Sequence, residues 1–283
     1  MEWERAKNYI LIAFVLLNLG LAALLFLEDR RYTLTPERIR TMHEVLSGNN
    51  INLYTAPMRR FAPMRHLEIS GFYYDIDMLL GIFFPENEFT QEETSDDEHY
   101  IFFSENGNLE IFNGFITFTN ENLENRAITH RDAIEISDAF INENFPDFVR
   151  EVVFDEYGGG GVQIIYRQKY QGQLIFSNQI EFLITSGGIA WVEMQFGRVI
   201  GHSADTRRIF ALDEVMLTFM QRMRHSAMEN PIFINNIDIV YLKEYASNQE
   251  GSVYPAVPFY RIKIDDNDLE FLINAYTNES SNF

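Results

Sequence analysis

ILIAFVLLNLGLAALLFL, residues 10–27, is the stretch that decides the fold, because it carries no charge and Asn18 is its one polar side chain. With Ala6, Asn8 and Tyr9 in front of it, the segment reaches the roughly 20 residues that a helix needs to cross ~30 Å of hydrocarbon. A buried core helix would normally show a polar face, which this run lacks. The sequence therefore predicts one transmembrane helix over residues 10–27.

The residues that flank the apolar run suit the two interfaces of a membrane. The predicted interface residues before it are Trp3, Arg5, Lys7 and Tyr9, and the charged cluster after it is Glu28-Asp29-Arg30-Arg31. A cleaved signal peptide is the alternative, with Gly20 and Ala22 as the small residues before the cut. The apolar run continues through residues 24–27, where a mature N-terminus should already be polar. This continuation favours an uncleaved anchor.

Charge alone leaves the orientation of the anchor open. The basic residues near the span are Arg5 and Lys7 before it and Arg30, Arg31, Arg38 and Arg40 after it. Because they lie on both sides, the positive-inside rule does not decide. Residues 1–9 and 28–31 each sum to zero, which assigns the whole net charge of -20 to residues 32–283. We expect residues 1–9 to be a short cytoplasmic stub and the large acidic domain to be extracytoplasmic.

Composition excludes several classes of function. A protein that binds nucleic acid needs basic patches for the phosphates, and a net charge of -20 argues against them. The same charge argues against electrostatic docking on anionic lipid for the bulk of the chain. No cysteine is present, which removes disulfides, thiolate metal sites and cysteine nucleophiles. The 46% hydrophobic and 14% aromatic content excludes general disorder and favours strands.

Beyond the anchor, the sequence predicts a helix followed by a β-meander three times. Thr35 with Pro36 predicts the start of the first helix, from a hydroxyl cap and a proline at the first helical position. Thr129 with Asp132 predicts a capping box for the second helix, and the third begins at Leu212. The predicted strands are 66–74, 78–84, 100–104, 109–119, 152–157, 162–170, 174–185, 189–196, 232–245, 259–264 and 269–276.

This order of elements predicts an α+β fold in which antiparallel β-meanders each pack with a helix. The turn Asn106-Gly107 between aromatic-rich runs predicts one of the hairpins. The polar stretch 120–126 predicts an internal boundary near Ile128. We therefore expect an N-terminal subdomain at 32–127 and a C-terminal subdomain at 128–283.

No catalytic constellation stands out in the sequence. The glycine run 158–161 lacks the Lys-Ser/Thr of a phosphate loop, and the six histidines are scattered singly. Asp265, Asp266 and Asp268 resemble part of a calcium loop but lack its glycine and distal glutamate. The acidic stretch 86–99 is typical of a solvated loop. We expect the chain to be no enzyme and to hold no cofactor and no metal.

Both ends of the chain resemble the YycI (WalI) family. At the start, residues 1–18 read MEWERAKNYILIAFVLLN, and near the end PFYR at 258–261 precedes FLINAYT at 271–277. Members of that family close with a Pro-x-aromatic-Arg strand and an Asn-Ala-aromatic-Thr strand that glycine usually follows. Here Asn278 stands where that glycine is common, and Tyr260 stands where tryptophan is frequent. The combination of these segments with the length and the element order carries the resemblance.

The resemblance implies a regulatory membrane protein of the WalRK (YycFG) two-component system. YycI-like proteins lie in the membrane of Gram-positive bacteria with a short cytoplasmic N-terminus. With the related YycH protein they adjust the sensor histidine kinase WalK (YycG), which controls cell-wall metabolism. The implied partners are therefore a WalK-type kinase, a YycH-like protein and membrane lipid. The resemblance also implies that residues 32–283 are extracytoplasmic and that 128–283 form a YycH/YycI-like subdomain.

A polar residue in the middle of the span predicts a contact between membrane helices. An unpaired amide is unfavourable in lipid, so Asn18 is expected to form a hydrogen bond with a neighbouring helix, while Gly20 and Ala22 allow close approach. A bond from Asn18 to its own backbone is the open alternative.

Two other classes of function also stay open for the chain as a whole. One is a membrane-tethered extracytoplasmic protein that binds a peptide or wall fragment in a curved sheet. The other is a tethered hydrolase with an unrecognised site.

Overall fold

The structure, a computed structural model, is an α+β fold with one apolar N-terminal helix and mostly antiparallel strands. It describes residues 2–72, 75–85, 89–92, 99–105, 107–112, 114–120, 123, 127–155, 160–225, 231–243, 253–264 and 269–281. The helices are α1 (Glu2–Arg31), α2 (Pro36–Ser47), α3 (Ile76–Phe83), α4 (His130–Asn144) and α5 (Leu212–His225). The strands are β1 (Ile51–Leu53), β2 (Leu67–Phe72), β3 (Thr90–Glu92), β4 (Tyr100–Ser104), β5 (Gly107–Phe112), β6 (Phe115–Thr119), β7 (Phe148–Asp155), β8 (Val162–Tyr170), β9 (Gln173–Thr185), β10 (Gly188–Gln195), β11 (Gly197–His202), β12 (Ile232–Lys243), β13 (Val253–Ile264) and β14 (Glu270–Asn274).

The chain divides into two compact units, each built from segments that are distant in sequence. Unit 1 comprises Met1–Met64, Thr206–Asp238 and Tyr260–Phe283. Unit 2 comprises Arg65–Asp205 and Ile239–Phe259. Strands β12 and β13 therefore contribute residues to both units.

This division differs from the predicted subdomains 32–127 and 128–283. Residues on both sides of position 128 lie in unit 2. The reason is strand pairing, because β6 from before that position pairs with β10 from after it, in the register Ile116↔Met194 to Thr119↔Trp191. The sheet of unit 2 therefore continues across the predicted boundary near Ile128.

Unit 2 packs helix α4 against an antiparallel sheet. The predicted cap at Thr129 is present: Thr129 Oγ1 accepts from the backbone N–H of Asp132 at 3.2 Å and donates to its carboxylate at 2.8 Å. The helix then buries Ala133, Ser137 and Ile141 and contacts β7, β8, β9 and β10. A four-residue spacing of small and apolar side chains thus gives the stripe that meets the sheet.

The predicted strand 78–84 is wrong, because residues 78–83 lie in helix α3 and Phe84 is its C-cap. Asp75 caps that helix by accepting from the backbone N–H of Met78 at 3.3 Å. Leu79 and Phe83, four residues apart, are its buried positions. A short, continuously apolar run has no period that separates a buried strand from a buried helix turn. The cap at Asp75 was the missed signal.

Two successive hairpins form the part of the unit 2 sheet that contains β4, β5 and β6. Strands β4 and β5 pair from Tyr100↔Ile111 to Ser104↔Gly107, as the turn at 106–107 predicts, although Asn106 itself lies outside the described residues. The predicted single strand 109–119 is two strands, β5 and β6, which pair from Asn108↔Thr119 to Phe112↔Phe115. Gly114 at φ 81° makes the reversal between them, a conformation that glycine adopts without strain.

Unit 1 begins with α1 and continues into α2, which starts at the predicted cap. Thr35 Oγ1 accepts from the backbone N–H of Arg38 at 3.4 Å, and Met42 and Leu46 are the buried positions of the helix. Helix α2 contacts α5 and β1. Strand β1 in turn pairs in parallel with the start of β12, in the register Ile51↔Ile232. The core of unit 1 is thus made by elements from three distant parts of the sequence.

Candidate functional site

Helix α1 presents an apolar surface that the described protein does not cover. Its 30 residues extend over roughly 45 Å at 1.5 Å per residue. Within it, Ala6–Leu24 is 19 residues long with a mean hydropathy of 1.8, and none of this window is buried. By length and composition it is the one described helix able to cross a membrane. Such a surface is stable only if lipid or another protein removes it from water.

The predicted contact residues of α1 do not form one surface. Asn18 and Ala22 are four residues apart and share a face, whereas Gly20 lies about 200° around the helix from Asn18 at 3.6 residues per turn. The side chain of Asn18 donates from Nδ2 to the carbonyl of Phe14 at 2.8 Å, so the bond to its own backbone is the one observed. An asparagine amide has a second N–H and an acceptor oxygen. A side chain added at Gly20 would meet no atom of the protein within 4 Å.

Aromatic and basic side chains occupy both ends of α1. Trp3 is 80% exposed, Tyr9 is 72% exposed and Lys7 is exposed, while the side chain of Arg5 lies outside the described part of the structure. At the other end, the guanidinium of Arg30 lies 4.8 Å from the ring of Phe26. The role of the N-terminal group at a membrane interface stays a prediction.

The PFYR motif at 258–261 is explained by an ion cluster in unit 1. Arg261 is 2% exposed, and its guanidinium donates to both carboxylate oxygens of Asp238 at 2.9 and 2.5 Å and to Glu270 at 3.5 Å. Tyr260 donates to the carbonyl of Phe210 at 2.7 Å, and burial raises the pKa of this phenol. A buried arginine is tolerated because its donors are paired. Arg261 therefore connects β12, β13 and β14.

The second C-terminal motif builds a turn at the end of β14. Asn274 Oδ1 accepts from the backbone N–H groups of Tyr276 at 2.8 Å and Thr277 at 3.2 Å. The phenol of Tyr276 donates to the carbonyl of Met64 at 3.0 Å, and desolvation raises its pKa to about 12. Asn278 has φ 61°, a left-handed conformation that favours glycine first and asparagine next. The replacement of the expected glycine by Asn278 therefore preserves the turn.

Unit 2 contains a polar network in which a tyrosine joins α4 to the sheet. Tyr166 on β8 donates to Asp138 Oδ1 at 2.6 Å and lies 2.8 Å from the hydroxyl of Ser137. Arg150 donates to the other oxygen of Asp138 at 2.7 Å. Burial and then the hydrogen bond to Asp138 raise the pKa of Tyr166 to about 12. The phenol therefore stays protonated at neutral pH and acts as a donor that positions α4.

A pair of carboxylates lies across β9 and β10, where the sequence predicts only alternating faces. Glu193 is directly opposite Glu181, which also accepts from the amide of Gln163. Desolvation and then repulsion by Glu181 raise the pKa of Glu193. Two carboxylates are too few to hold a metal on their own. Among the described residues, no group of three or more His, Cys, Asp or Glu is placed to bind one.

Several sequence motifs fall where the structure gives no description. Residues 86–88 and 93–98 of the acidic stretch lie outside the described residues, as do 265–268 of the calcium-like turn. The same holds for residues 158 and 159 of the glycine run. The predictions for these segments are therefore untested.

Unit 2 contains a concave site of about 440 Å³ where α4 ends. Its apolar wall includes Phe145 and Phe148, whose rings lie 5.7 and 5.6 Å from that of Phe196. Asp75 and Asp147 also line it, and the carbonyl end of α4 adds partial negative charge. Aromatic walls with a few polar groups are typical of small-ligand sites. Because four separated segments form it, no local pattern in the sequence predicts it.

A second depression of about 300 Å³ lies between α2 and α5 of unit 1. Its floor is apolar, with Met42, Leu46 and Met216. Arg38 and Asp213 close it with a two-bond ion pair at 2.7 Å. Met216, Met220 and Met223 of α5 are all buried.

Comparisons with known proteins identify a fold and no family. No protein-family model and no curated protein matches the chain. An uncharacterised protein from Eubacterium rectale has a similar structure, with a TM-score of 0.54 and 12% identity over 82% of this chain and 90% of that one. The C-terminal domain of YpeB from Bacillus megaterium gives a TM-score of 0.45 and 9% identity over 73% and 93%. The first likeness shows a shared fold alone.

Proposed function

We propose that the chain is a membrane-anchored, non-catalytic regulator of a WalK (YycG)-type sensor histidine kinase, acting with a YycH-like protein in cell-wall homeostasis. The observation that carries the proposal is the resemblance of residues 1–18, 258–261 and 271–277 to the YycI family. Its support comes from the roles of Arg261, Asn274 and Asn278, each of which meets a packing or turn requirement. In this proposal residues 1–9 are cytoplasmic and 32–283 are extracytoplasmic.

The mechanism uses the exposed surface of α1. Its apolar side chains contact the transmembrane helices of the kinase, and the remaining hydrogen-bonding capacity of Asn18 pairs with one of them. The extracytoplasmic part then shifts the kinase between signalling states by binding one state better than the other. A regulator of this kind requires surfaces and no reaction chemistry.

Co-purification from native membranes in mild detergent tests the proposal. The full chain is compared with a variant in which residues 6–24 are replaced by an unrelated apolar span of the same length, so that anchoring is kept. We expect the full chain to recover a sensor histidine kinase and a YycH-like protein, and the variant to lose the kinase. Recovery of neither protein by the full chain would reject the regulatory function.

A single substitution locates the contact within α1. Replacing Asn18 with leucine keeps the helix apolar and removes the amide, so recovery of the kinase should fall. Asn8→Leu is the matched control, because it removes the same group near the end of the helix. Equal recovery by both variants and the unchanged chain would exclude Asn18 as the contact.

The cavity of unit 2 supports a second candidate function, tethered binding of a peptide or wall fragment. The cavity has the size and the aromatic lining of a ligand site. Native mass spectrometry of the full chain should then detect a retained ligand. Met78→Trp, at a 44% exposed lining position, should displace it by filling the space. An empty protein that recovers the kinase would favour the regulator over this alternative.

A further inference from the structure

We propose that Arg30, Arg31, Arg59 and Arg60 form a basic collar that binds the phosphate headgroups of anionic lipids and holds unit 1 against the membrane surface. This inference rests on the proposed anchoring by α1 and is independent of the kinase. It assigns a membrane contact to a segment that lies outside the predicted span.

Backbone pairing brings the two halves of the basic collar together. Residues 32–34 follow α1 directly and pair in antiparallel fashion with 59–61. The backbone N–H of Leu34 donates to the carbonyl of Arg59 at 2.7 Å, that of Phe61 donates to the carbonyl of Tyr32 at 2.9 Å, and a bridge joins Thr33 to Arg60. Arg59 and Arg60 are therefore held within a few residues of the point where α1 ends.

Buried side chains on both paired segments stabilise this pairing. Leu34 is 2% exposed and Phe61 is 3% exposed, and the ring of Phe61 packs edge-on against Tyr32 with centroids 6.2 Å apart. The side chains of the four arginines are exposed, and the guanidinium of Arg31 lies 5.9 Å from the ring of Tyr32. The backbone pairing is thus held by buried side chains, while the four arginine side chains are exposed.

The local charge is opposite to that of the chain. The protein has a net charge of -20 and 42 acidic residues, yet the sequence from 45 to 67 contains no Asp or Glu. In the sequence, residues 28–31 sum to zero charge, and Arg59 and Arg60 add two positive charges to this segment. Most of the chain is therefore repelled by an anionic surface, whereas this segment is attracted to it.

The chemistry of the basic collar selects phosphate. A guanidinium donates through a planar fork that fits two oxygens of a phosphate. Arg30 also packs on Phe26, within the apolar helix, which places its charge at the end of the span. Because α1 delivers the four groups to the membrane surface, several headgroups can be bound at once. The lipid surface is therefore the occupant that charge and chain continuity both favour.

Fluorescence quenching in reconstituted vesicles tests the inference on the full chain. The chain has no cysteine, so Ala56→Cys gives a single labelling site on an exposed position near the basic collar. Headgroup-spin-labelled lipid should quench the fluorophore about tenfold more in vesicles with roughly one third anionic lipid than in neutral vesicles. The excess should be lost at 1 M salt, where the screening length is about 3 Å.

Charge-matched variants separate the basic collar from general electrostatics. Arg59→Gln with Arg60→Gln should abolish the excess quenching. Arg131→Gln with Lys169→Gln removes two exposed charges from unit 2 and should leave it unchanged. Resistance of the protein to alkaline extraction reports the anchoring separately. An anchored chain whose quenching ignores lipid charge, or falls equally in both double variants, would overturn the inference and leave the proposed function standing.

Discussion

Helices α1 and α4 have the same backbone and opposite relations to the rest of the protein. Helix α4 has a cap at Thr129 and buries Ala133, Ser137 and Ile141 against its sheet. Helix α1 has no buried residue in the window Ala6–Leu24. The difference comes from side-chain pattern, since α4 alternates polar and apolar faces while α1 is apolar all round. A helix without a polar face requires an apolar environment, and the described part of this chain does not provide one for α1.

The polar groups of the two helices repeat this contrast. Ser137 and Asp138 of α4 both bond Tyr166 on the sheet, so the position of α4 is specified within the chain. Asn18 of α1 bonds the backbone of Phe14 in the same helix. The polar groups of α4 therefore select an internal partner, whereas that of α1 retains capacity for an external one.

We expect the largest effect from a substitution that disrupts the packing of α4, with a substitution in α1 as the control. Ile141→Ala should lower the free energy of unfolding by about 3 kcal/mol, because it removes fully buried methyl groups and leaves a cavity. Leu16→Ala, at a 63% exposed position of α1, should change it by less than about 0.5 kcal/mol. Denaturant unfolding in detergent measures both. Equal losses would show that α1 packs within the protein.

A charge in α1 tests the other half of the contrast. Leu17→Arg should disfavour membrane insertion by about 2.5 kcal/mol, the cost of an arginine near the centre of a span. Alkaline extraction of membranes should then release much of the protein. Leu217→Arg introduces the same residue at a 45% exposed position of α5 and should leave the membrane fraction unchanged. Release of both variants would indicate unfolding instead of lost insertion.

Removing the hydroxyl of Tyr166 tests whether its hydrogen bonds hold α4 on the sheet. Tyr166→Phe should cost about 1.5 kcal/mol, since Ser137 and Asp138 lose a buried partner. The pKa of Tyr166 is raised from 10.0 to about 12, so its contribution is fully present below pH 10 and is lost as the pH rises to 12. The unfolding curves of the two proteins should therefore differ at pH 8 and converge at pH 11 to 12. Tyr170→Phe, at a partly exposed position, serves as control.

The smallest effect concerns the face of the sheet away from α4. Val192 and Met194 of β10 are buried in the core, and Glu193 between them faces Glu181. Glu193→Gln should raise the free energy of unfolding by about 0.5 kcal/mol at pH 7.5, as expected for like charges directly opposite.

The pair of Glu181 and Glu193 also determines how the gain in stability from Glu193→Gln depends on pH. Because the pKa of Glu193 is raised in the folded protein, the unfolded chain releases this proton at a lower pH than the folded protein does. The free energy of unfolding therefore falls as the pH rises from the pKa of the unfolded chain to that of the folded protein. The advantage of Glu193→Gln should therefore vanish near pH 4. Glu135→Gln, at an exposed position of α4, serves as the control.

Local signals predicted the elements that local forces determine. The hydroxyl caps at Thr35 and Thr129 and the helical spacing after Leu212 are confirmed in α2, α4 and α5. Each depends on hydrogen bonds or contacts within a few residues, so a single segment of sequence contains the evidence. The apolar helix at 10–27 is confirmed for the same reason.

Features set by distant contacts escaped prediction. Strand β11 begins at Gly197, where an added side chain would collide with the backbone of Ser70 on β2, so its pairing depends on a partner more than 120 residues away. Strand β13 starts at Val253 instead of residue 259, because Pro255 and Pro258 argue against a strand that tertiary pairing with β2 nevertheless forms. The cavity at the end of α4 and the basic collar likewise join separated segments.

Chemical labelling in intact cells tests the central claim, that α1 spans a membrane and carries the large acidic part outside. The absence of cysteine allows single-site variants, Glu2→Cys before the span and Glu135→Cys on α4. A membrane-impermeant maleimide should label Glu135→Cys in intact cells and Glu2→Cys only after permeabilisation. The reverse pattern, or equal labelling of both sites before permeabilisation, would contradict the account.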